Sequence, residues 1–428
     1  MGTSKFMSLL NDGSDLEGVT RAQDMQYMRL LRTSMRHIGA WPAGRMREPV
    51  SRLYQGQRYF LYALEFVALI LEFGYLKNNI GKISFMKIGH SYITFMLTIV
   101  AISRTSLVFT NIFNDLFCDF VNEINLFNYK HKSEYAMQTH KLVHKISHFF
   151  TLYLYSAMII GIGLFNMTPL YTNYVSGAFN NDGSRNISFE HSTYYALPFD
   201  YTTEYKGYIV VFLVNWYMCY FVSSNVCTID LLMSLTVFHV WGHLRILIHN
   251  IHNFDASRDD ATGNNEACDE MNKKALLQLK SIIMHHHLII EYISRMSTTF
   301  GPVLFIYYGF YQAGGCLLLL ECSVMTTDAL LRYFPMTLIM FQQVIQLSII
   351  FELLGSMTDK LVDAAYCLPW EQMSTSNQRV VYILLRQTQL PLNLRALDMV
   401  DVGVQTMTSI LKTSFSYFVM LRTVTKEE

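Results

Sequence analysis

The chain has 428 residues, of which 51% are hydrophobic and only 15% are charged, a charged share well below that of a typical soluble domain. Its 33 basic residues balance its 33 acidic residues, so the overall charge gives no reason to expect nucleic acid or an acidic substrate as a partner. The composition predicts a protein that crosses a lipid membrane several times.

Seven stretches are long enough to cross a bilayer core, which needs about 20 helical residues. The first fifty residues hold seven lysines and arginines and no long apolar run, so we expect no cleavable signal peptide and a cytosolic amino terminus. With that polarity, 21 Lys and Arg residues fall in the cytosolic connecting segments and six in the outer ones. The sequence therefore predicts an all-α membrane protein of seven transmembrane helices with an extracellular carboxyl terminus. The stretches are 59–76, 88–109, 149–170, 208–238, 288–320, 333–354 and 398–424.

Two N-glycosylation sequons lie in or beside the connection between the third and fourth stretches, which this topology places outside. Asn186 begins the better sequon, because Pro169 follows the one at Asn166. We therefore expect a glycan on Asn186.

The chain divides by composition into four parts. Residues 1–52 are predicted to be a cytosolic segment, and residues 53–354 the first six transmembrane helices. Residues 355–398 contain the periodic run VVYILLRQ and are predicted to form a packed helical region in the cytosol. Residues 399–428 are predicted to form a pore-lining helix and the extracellular carboxyl terminus.

The seventh stretch carries six polar side chains on one narrow stripe. At about 100° per residue they lie within an arc of roughly 80°, and apolar side chains cover most of the remaining surface. Polar groups at membrane depth are tolerated where they line a cavity, so the pattern predicts a helix that walls an aqueous path. Met420 and Val424 continue the stripe and would close the path by dewetting. An ordinary amphipathic helix on a soluble core is the alternative. The stripe consists of Asp398, Asp401, Gln405, Ser409, Lys412 and Ser416.

Histidines cluster near the expected cytosolic ends of three stretches. A histidine-rich membrane metalloenzyme, such as a di-iron lipid desaturase, would place its ligands there. However, the usual HxxHH boxes are absent, and no carboxylate lies within the clusters to orient the imidazoles. GxSxG, HExxH and phosphate-binding loops are also absent. We therefore expect no catalytic residue, metal or cofactor, and histidines that are solvated or lie at the membrane surface. The clusters are His140, His144 and His148; His239, His243, His249 and His252; and His285, His286 and His287.

Two carboxylates fall inside the first stretch. Glu65 and Glu72 lie seven residues apart and therefore on one face of a helix. Pairing with another helix, or snorkelling to the membrane surface, is the simpler explanation, and a functional role is the alternative.

The carboxyl-terminal runs LPWEQMSTSNQRVVYILLRQTQLPLNL and MTSILKTSFSYFVMLRTV resemble the signature of insect odorant receptors. The strings RHIGAWP, LPWE and QTMTSILKTSFSYFVML further resemble the pheromone-receptor branch of moths. The matching positions are Trp370, Arg379, Arg386, Pro391, Ser409, Leu411, Lys412, Ser414, Ser416, Tyr417 and Phe418.

The resemblance implies a tetrameric cation channel formed with a shared co-receptor. It implies that the seventh helix is split into a cytosolic part, about 379–388, and a pore part, 404–424. Trp370, Arg379 and Arg386 would then lie where subunits associate. Gln405, Ser409 and Ser416 would line the pore, and Met420 and Val424 would occupy the gate. Lys412 fits a cation pore poorly, so it is expected to face a neighbouring subunit or a wide vestibule.

The ligand is expected within the outer halves of the second to sixth stretches, where aromatic and flexible side chains are dense. Plain helix packing explains many of these positions, so fewer than half should line the site. The candidates are Tyr92, Phe95, Met96, Met158, Ile162, Phe165, Phe212, Trp216, Tyr217, Ile306, Tyr307, Phe310, Phe334 and Thr337.

The sequence thus predicts an odorant or pheromone receptor subunit in the plasma membrane of olfactory neuron dendrites. Its ligand would be a volatile apolar molecule, such as a long-chain alcohol, aldehyde or acetate. A G-protein-coupled chemoreceptor is one alternative, but DRY and NPxxY signals are absent and the predicted polarity is opposite. The histidine-rich metalloenzyme is the other alternative. The expected partners are the co-receptor, the ligand and membrane lipid.

Overall fold

The computed structural model describes residues 18–427 except 84, 180–187, 255–264, 324–326 and 398. Within these residues almost all regular structure is helical, and β structure is confined to the two-residue strands β1 (Arg395–Ala396) and β2 (Val400–Asp401). The predicted all-α class is confirmed. The helices are α1 (Gln26–His37), α2 (Arg52–Asn79), α3 (Phe85–Val108), α4 (Asn111–Asp119), α5 (Glu134–Val175), α6 (Tyr205–His252), α7 (Asn265–Cys322), α8 (Thr327–Tyr366), α9 (Thr375–Thr388) and α10 (Val404–Glu427).

Six of these helices are long and apolar enough to cross a membrane, namely α2, α3, α5, α6, α7 and α8. They contain the first six predicted stretches, apart from Phe109 at the end of the second. Four of the six have 40 or more residues, about twice the length that a bilayer core requires. The extra turns carry mixed polar sequence, which is why apolar runs alone did not locate the helix ends.

Helix α6 lies at the centre of the bundle. Almost every side chain between Phe221 and Leu247 is buried, and α6 packs against α3, α5, α7 and α8. A helix that is apolar on all faces belongs in such a central position. The remaining long helices surround α6. The small helix α1 packs against the carboxyl-terminal half of α6, far from the α5–α6 connection.

The seventh predicted stretch is a helix only from Val404 onward, so the prediction of a continuous helix from residue 398 is wrong. Residues 395–396 and 400–401 instead form the β1–β2 ladder. In this ladder Arg395 pairs with Asp401, and their side chains form an ion pair at 3.1 Å. Asp401 is therefore removed from the helical stripe, and Asp398 lies outside the described residues. The resemblance implied that the seventh helix is split into two parts. In the structure α9 precedes the ladder and α10 follows it.

The expectation of solvated histidines is wrong for the inner members of each cluster. His140, His239, His243 and His285 are all buried. Two of them use their nitrogens locally: Nδ1 of His239 accepts the Leu126 backbone N–H at 3.1 Å, and Nε2 of His243 donates to the Ile124 backbone oxygen at 2.9 Å. For His239 and His243 these hydrogen bonds replace those to water, whereas neither ring nitrogen of His140 has a partner among the described residues. Among the described residues, no group of three metal-binding side chains is arranged to hold a metal ion.

Candidate functional site

A cavity of about 230 Å³ lies between α2, α3, α5, α6, α7 and α8. This volume is slightly below the roughly 300–1,000 Å³ of sites for drug-sized ligands, so it suits a small molecule. Its walls are mainly aliphatic side chains and methionines, including Ile93, Met158, Met336 and Met340. Such walls bind by shape and dispersion, and unbranched methionines adapt to ligands of different outline.

Five of the fourteen candidate ligand residues line this cavity. They are Met158, Ile162 and Phe165 from α5, and Tyr307 and Phe310 from α7. Three others face the outside of the bundle: Tyr217, Ile306 and Phe334. Thr337 is buried, and its hydroxyl group donates to the Tyr333 backbone oxygen at 2.8 Å. The other five do not line the cavity: Tyr92, Phe95, Met96, Phe212 and Trp216.

The cavity includes residues from two regions that the sequence analysis did not assign to it. Helix α2 contributes Ala68 and Glu72, and the α5–α6 connection contributes Thr193 and Tyr195. In the sequence, the seven-residue spacing of Glu65 and Glu72 was the one indication that α2 contributes to the cavity. Nothing in the polar connection distinguished Thr193 and Tyr195, because their position depends on long-range packing.

The connection is held over the cavity by hydrogen bonds. Asn173 and Glu190 form two of them, from Asn173 Nδ2 to Glu190 O at 2.9 Å and from Glu190 N to Asn173 Oδ1 at 2.8 Å. His191 donates from Nε2 to the Tyr201 backbone oxygen at 3.0 Å, and Asn215 on α6 donates to the Thr193 backbone oxygen at 3.1 Å. Burial lowers the pKa of His191 to about 4, so this imidazole stays neutral near neutral pH. Residues 188–204 of the connection are therefore a folded wall of the site.

A buried ion pair lies at the other side of the cavity. Arg104 on α3 and Asp230 on α6 approach to 2.8 Å, and Arg104 also donates to the Val226 backbone oxygen at 2.9 Å. The guanidinium group stacks over Tyr307, whose hydroxyl group donates to Gln343 Oε1 at 3.2 Å. Because Asp230, Tyr307 and Gln343 all line the cavity, its polar groups here are already bonded to the protein.

Helix α10 packs against α7 and α8 with one face and leaves the predicted stripe uncovered. Gln405, Ser409, Lys412 and Ser416 are all exposed, and Met420 is 61% exposed. On the opposite face Ile410 and Ser414 are buried, and the Ser414 hydroxyl group donates to the Gln312 backbone oxygen at 3.4 Å. The side chain of Val424 lies outside the described residues. The polar stripe is thus a free surface of the isolated chain.

Phe415 flanks the stripe and is 59% exposed, although the sequence pattern assigned it to the apolar side. It lies about 120° from Ser409 around the helix axis, and more than half of its surface is uncovered. An exposed aromatic side chain beside a polar stripe is well placed to contact a neighbouring chain.

Helix α9 presents a second uncovered surface, which we call the anchor surface: Tyr382, Ile383, Arg386, Gln387 and Leu390. Tyr382 is 67% exposed and Ile383 is 59% exposed, while the opposite face of α9 packs on α7 and α8 through Val381 and Leu384. Arg379 is exposed one turn earlier, and Trp370 in the preceding 3₁₀ turn is 40% exposed. The predicted interface residues Trp370, Arg379 and Arg386 are therefore all accessible in the isolated chain.

Residues 85–415 match a family model described as 7tm Odorant receptor. Odorant receptor 10 of Aedes albopictus is 24% identical over 156 residues, which cover 36% of this chain and 41% of that receptor. The match therefore spans less than half of that relative.

Two solved structures share the fold. One is the insect olfactory receptor OR5 from Machilis hrabei in complex with eugenol, with a TM-score of 0.75 and 14% identity over 93% of this chain and 98% of that chain. The other is the same receptor described without a ligand, with a TM-score of 0.74 and 13% identity over 92% and 97% of the two chains.

Proposed function

Because the chain belongs to the 7tm odorant receptor family, we propose that it is the ligand-binding subunit of an odorant-gated, non-selective cation channel. It is a multi-pass membrane receptor and not an enzyme. The observation that carries the proposal is the combination of an apolar cavity inside the bundle with an uncovered polar stripe on α10. The cavity suits a volatile apolar ligand, and the stripe suits a water-filled path.

The pore proposal assigns Gln405, Ser409 and Ser416 to the wall of the path and Met420 and Val424 to its gate. A single chain offers only one such stripe, so several chains must surround the path. Lys412 lies on the same exposed face. We assign it to a wide vestibule or a subunit contact, because a bare ammonium group at a constriction would repel cations.

The partner proposal is a hetero-oligomer, a tetramer, with the shared co-receptor. Its support is the anchor surface, which combines exposed aromatic and aliphatic side chains with Arg386. Aromatic residues and arginines are enriched in protein interfaces, and Trp370 and Arg379 are exposed as well.

The cellular proposal is the plasma membrane of olfactory neuron dendrites, with residues 1–52 and 355–398 in the cytosol and the carboxyl terminus outside. Helix α8 runs unbroken from the sixth span through residue 354 to Tyr366. The first part of the predicted cytosolic region 355–398 therefore continues the same helix. An epitope at residue 1 should be inaccessible on intact cells, whereas one after residue 428 should be accessible. Asn186→Gln should remove a glycosidase-sensitive mass shift; Asn186 itself lies outside the described residues.

The decisive experiment records currents from cells that express this chain with and without the co-receptor. The panel contains long-chain alcohols, aldehydes and acetates, together with eugenol because the Machilis hrabei receptor was solved with it. We expect volatile-evoked cation currents only when both chains are present. Robust currents from this chain alone would contradict the partner proposal, and metabotropic responses without channel currents would favour the G-protein-coupled alternative.

A further inference from the structure

Glu72 places a carboxyl group at the wall of the ligand cavity. The residue lies on α2, is only 4% exposed and lines the cavity beside Ala68 and Thr98. Its Oε2 atom has no hydrogen-bond partner among the described residues. Thr98 approaches the same carboxyl group, but its single hydroxyl hydrogen is directed at the Thr94 backbone oxygen at 3.1 Å. A buried polar atom left without a partner is unfavourable, and a bound molecule can supply one.

The other acidic groups of this region either have an ion-pair partner or lie outside the cavity. Asp230 also lines the cavity, but it is paired with Arg104 at 2.8 Å. Glu65 lies two turns earlier on the same face of α2, and its Oε1 atom receives a hydrogen bond from Asn225 Nδ2 at 3.3 Å. Its Oε2 atom has no partner among the described residues, but Glu65 does not line the cavity. Among the described side chains that line the cavity, Glu72 is the charged group without an ion-pair partner.

The surroundings of Glu72 determine where a ligand's polar end would lie. The cavity lining on α3 and α5 includes the apolar side chains of Ile93, Leu97 and Phe165. An elongated volatile molecule can bury its hydrocarbon part against this wall only if its polar end finds a partner. The free carboxyl oxygen provides that partner within the same cavity.

Hydrogen-bond chemistry distinguishes the possible end groups. An aldehyde or ester has no hydrogen to donate, so it can bond only to the protonated carboxyl group. An ammonium group only donates, so it needs an acceptor oxygen and bonds most strongly to the carboxylate. A hydroxyl group both donates and accepts, and therefore bonds to either form.

We propose that Glu72 is the specificity-determining polar group of the cavity and that it selects a ligand whose polar end is a hydroxyl group. This inference rests on the proposed odorant-receptor function and narrows its ligand class from alcohols, aldehydes and acetates to alcohols. The hydroxyl group bonds to Oε2 of Glu72, and the hydrocarbon chain occupies the apolar part of the cavity.

The test compares end groups on an identical chain. Currents are recorded from the complex with the co-receptor in response to octan-1-ol, octanal, octyl acetate and octylamine, and to the corresponding dodecyl series. In the wild type the alcohol should require the lowest half-maximal concentration in each series. Glu72→Leu should raise that concentration for the alcohol about tenfold, the effect of one lost hydrogen bond, and should change the acetate value less than about twofold.

Two further variants separate recognition from folding. Glu72→Gln retains a donor and an acceptor, so the preference for the alcohol should persist. Glu65→Gln alters a buried carboxyl group outside the cavity and should leave the ranking unchanged. Surface labelling establishes that each variant reaches the membrane. If Glu72→Leu does not reach it, the wild-type ranking of the end groups still tests the inference.

Several outcomes would overturn the inference. Equal shifts for alcohol and acetate in Glu72→Leu would make Glu72 a packing residue. A wild-type preference for the amine would assign a cation to the carboxylate, and a preference for the acetate or aldehyde would remove the hydroxyl assignment. In each of these cases the currents themselves would still support the proposed function. Absence of current with every volatile, despite normal surface expression and assembly, would instead remove the proposed function and this inference with it.

Discussion

Glu352 on α8 accepts a hydrogen bond through Oε2 from the backbone N–H of Val404, the first residue of α10, at 3.1 Å. The first N–H groups of a helix have no partner within the helix, and a carboxylate at that position also interacts favourably with the helix dipole. Glu352 thereby ties the start of the proposed pore helix to the sixth span, whose Met336, Met340 and Leu347 line the cavity. Ligand contacts and the pore helix are joined through α8.

Glu352→Ala should weaken this connection and reduce the maximal ligand-evoked current. Loss of a capping group at a helix amino terminus costs about 0.5–2 kcal/mol, which corresponds to a change of roughly 2- to 30-fold in a two-state equilibrium. Current amplitude normalised to surface expression measures the effect. Glu352→Gln retains a side-chain acceptor without the charge and should fall between the wild type and the alanine variant. Unchanged currents in Glu352→Ala would show that the cap does not contribute to opening.

Gly403→Ala provides an independent test of the same contact. A Cβ atom at residue 403 would lie 2.8 Å from Oε2 of Glu352, so the carboxylate would have to move away from Val404. The end of a glutamate side chain is flexible, so we expect folding to be retained. The current should decrease as in Glu352→Ala, and the double variant should show little further loss, because both changes break one interaction.

The six long helices could be predicted from sequence because each contains an apolar run of bilayer length. The family resemblance implied the start of α10 at residue 404, but hydropathy did not, because this start depends on pairing between residues 395 and 401 and on Glu352 from a distant helix. The inner histidines were misjudged for a similar reason. Their burial depends on backbone groups such as Leu126 N, which are far away in the sequence.

The sequence predicted only the part of the candidate site whose residues share one face of a helix. The side chains of Met158, Ile162 and Phe165 follow one face of α5, so a helical period relates them to one another. Glu72 and Tyr195 reach the cavity through the packing of α2 and of the α5–α6 connection against the bundle. Hydropathy carries no information about which polar residue of a span faces a cavity.

The anchor surface leads to a prediction about assembly. Trp370→Ala should weaken co-purification with the co-receptor, because exposed aromatic residues often carry much of an interface's binding energy. Tyr382→Ala, which removes the most exposed aromatic side chain of the anchor surface, should have a similar effect of about 1–3 kcal/mol. Ile112→Ala on α4 is a matched control, since Ile112 is a 54% exposed apolar residue outside the anchor surface. Equal recovery of the partner with all three variants would exclude this surface.

The α5–α6 connection leads to a prediction about pH. The pKa of His191 is about 4 in the folded protein, below the ordinary value of about 6.5, because the imidazole is buried. The unfolded state therefore binds more protons between these values. The stabilising contribution of neutral His191 is complete above pH 6.5 and is lost as the pH falls toward 4. At about pH 5 the loss should be on the order of 2 kcal/mol.

Thermal unfolding of the detergent-solubilised receptor measures this effect. His191→Gln has no titrating group and keeps a donor for the Tyr201 backbone oxygen. The decrease in Tm between about pH 7 and pH 5 should be smaller in this variant than in the wild type. Other buried histidines are present in both proteins and cancel in the comparison. Identical decreases would show that His191 does not couple the connection to pH.

The proposed pore leads to a prediction about accessibility. Cysteines at Gln405, Ser409 and Ser416 should react with hydrophilic thiol reagents faster in the presence of ligand, because these side chains lie on the exposed stripe. A cysteine at Ile410 should stay protected in both states, since Ile410 is buried against the bundle. A cysteine at Phe415 tests whether a neighbouring chain contacts this face of α10. Phe415 is exposed in the single subunit, so a cysteine there is protected from the reagent only if another subunit covers it.

Met420 leads to the corresponding prediction about the closed gate. It is 61% exposed in the single chain, so in the assembly it faces either water or another subunit. If its side chain narrows the path, Met420→Ala should widen and wet the constriction and raise the ligand-free current. Met420→Leu keeps an apolar side chain of similar size and should leave the resting current unchanged. The increase should be partial, because co-receptor subunits supply the remaining gate residues. Two results together would contradict the pore: an unchanged resting current in Met420→Ala, and cysteine labelling of the stripe at equal rates with and without ligand. They would mean that the stripe packs against protein and that α10 does not line a pore.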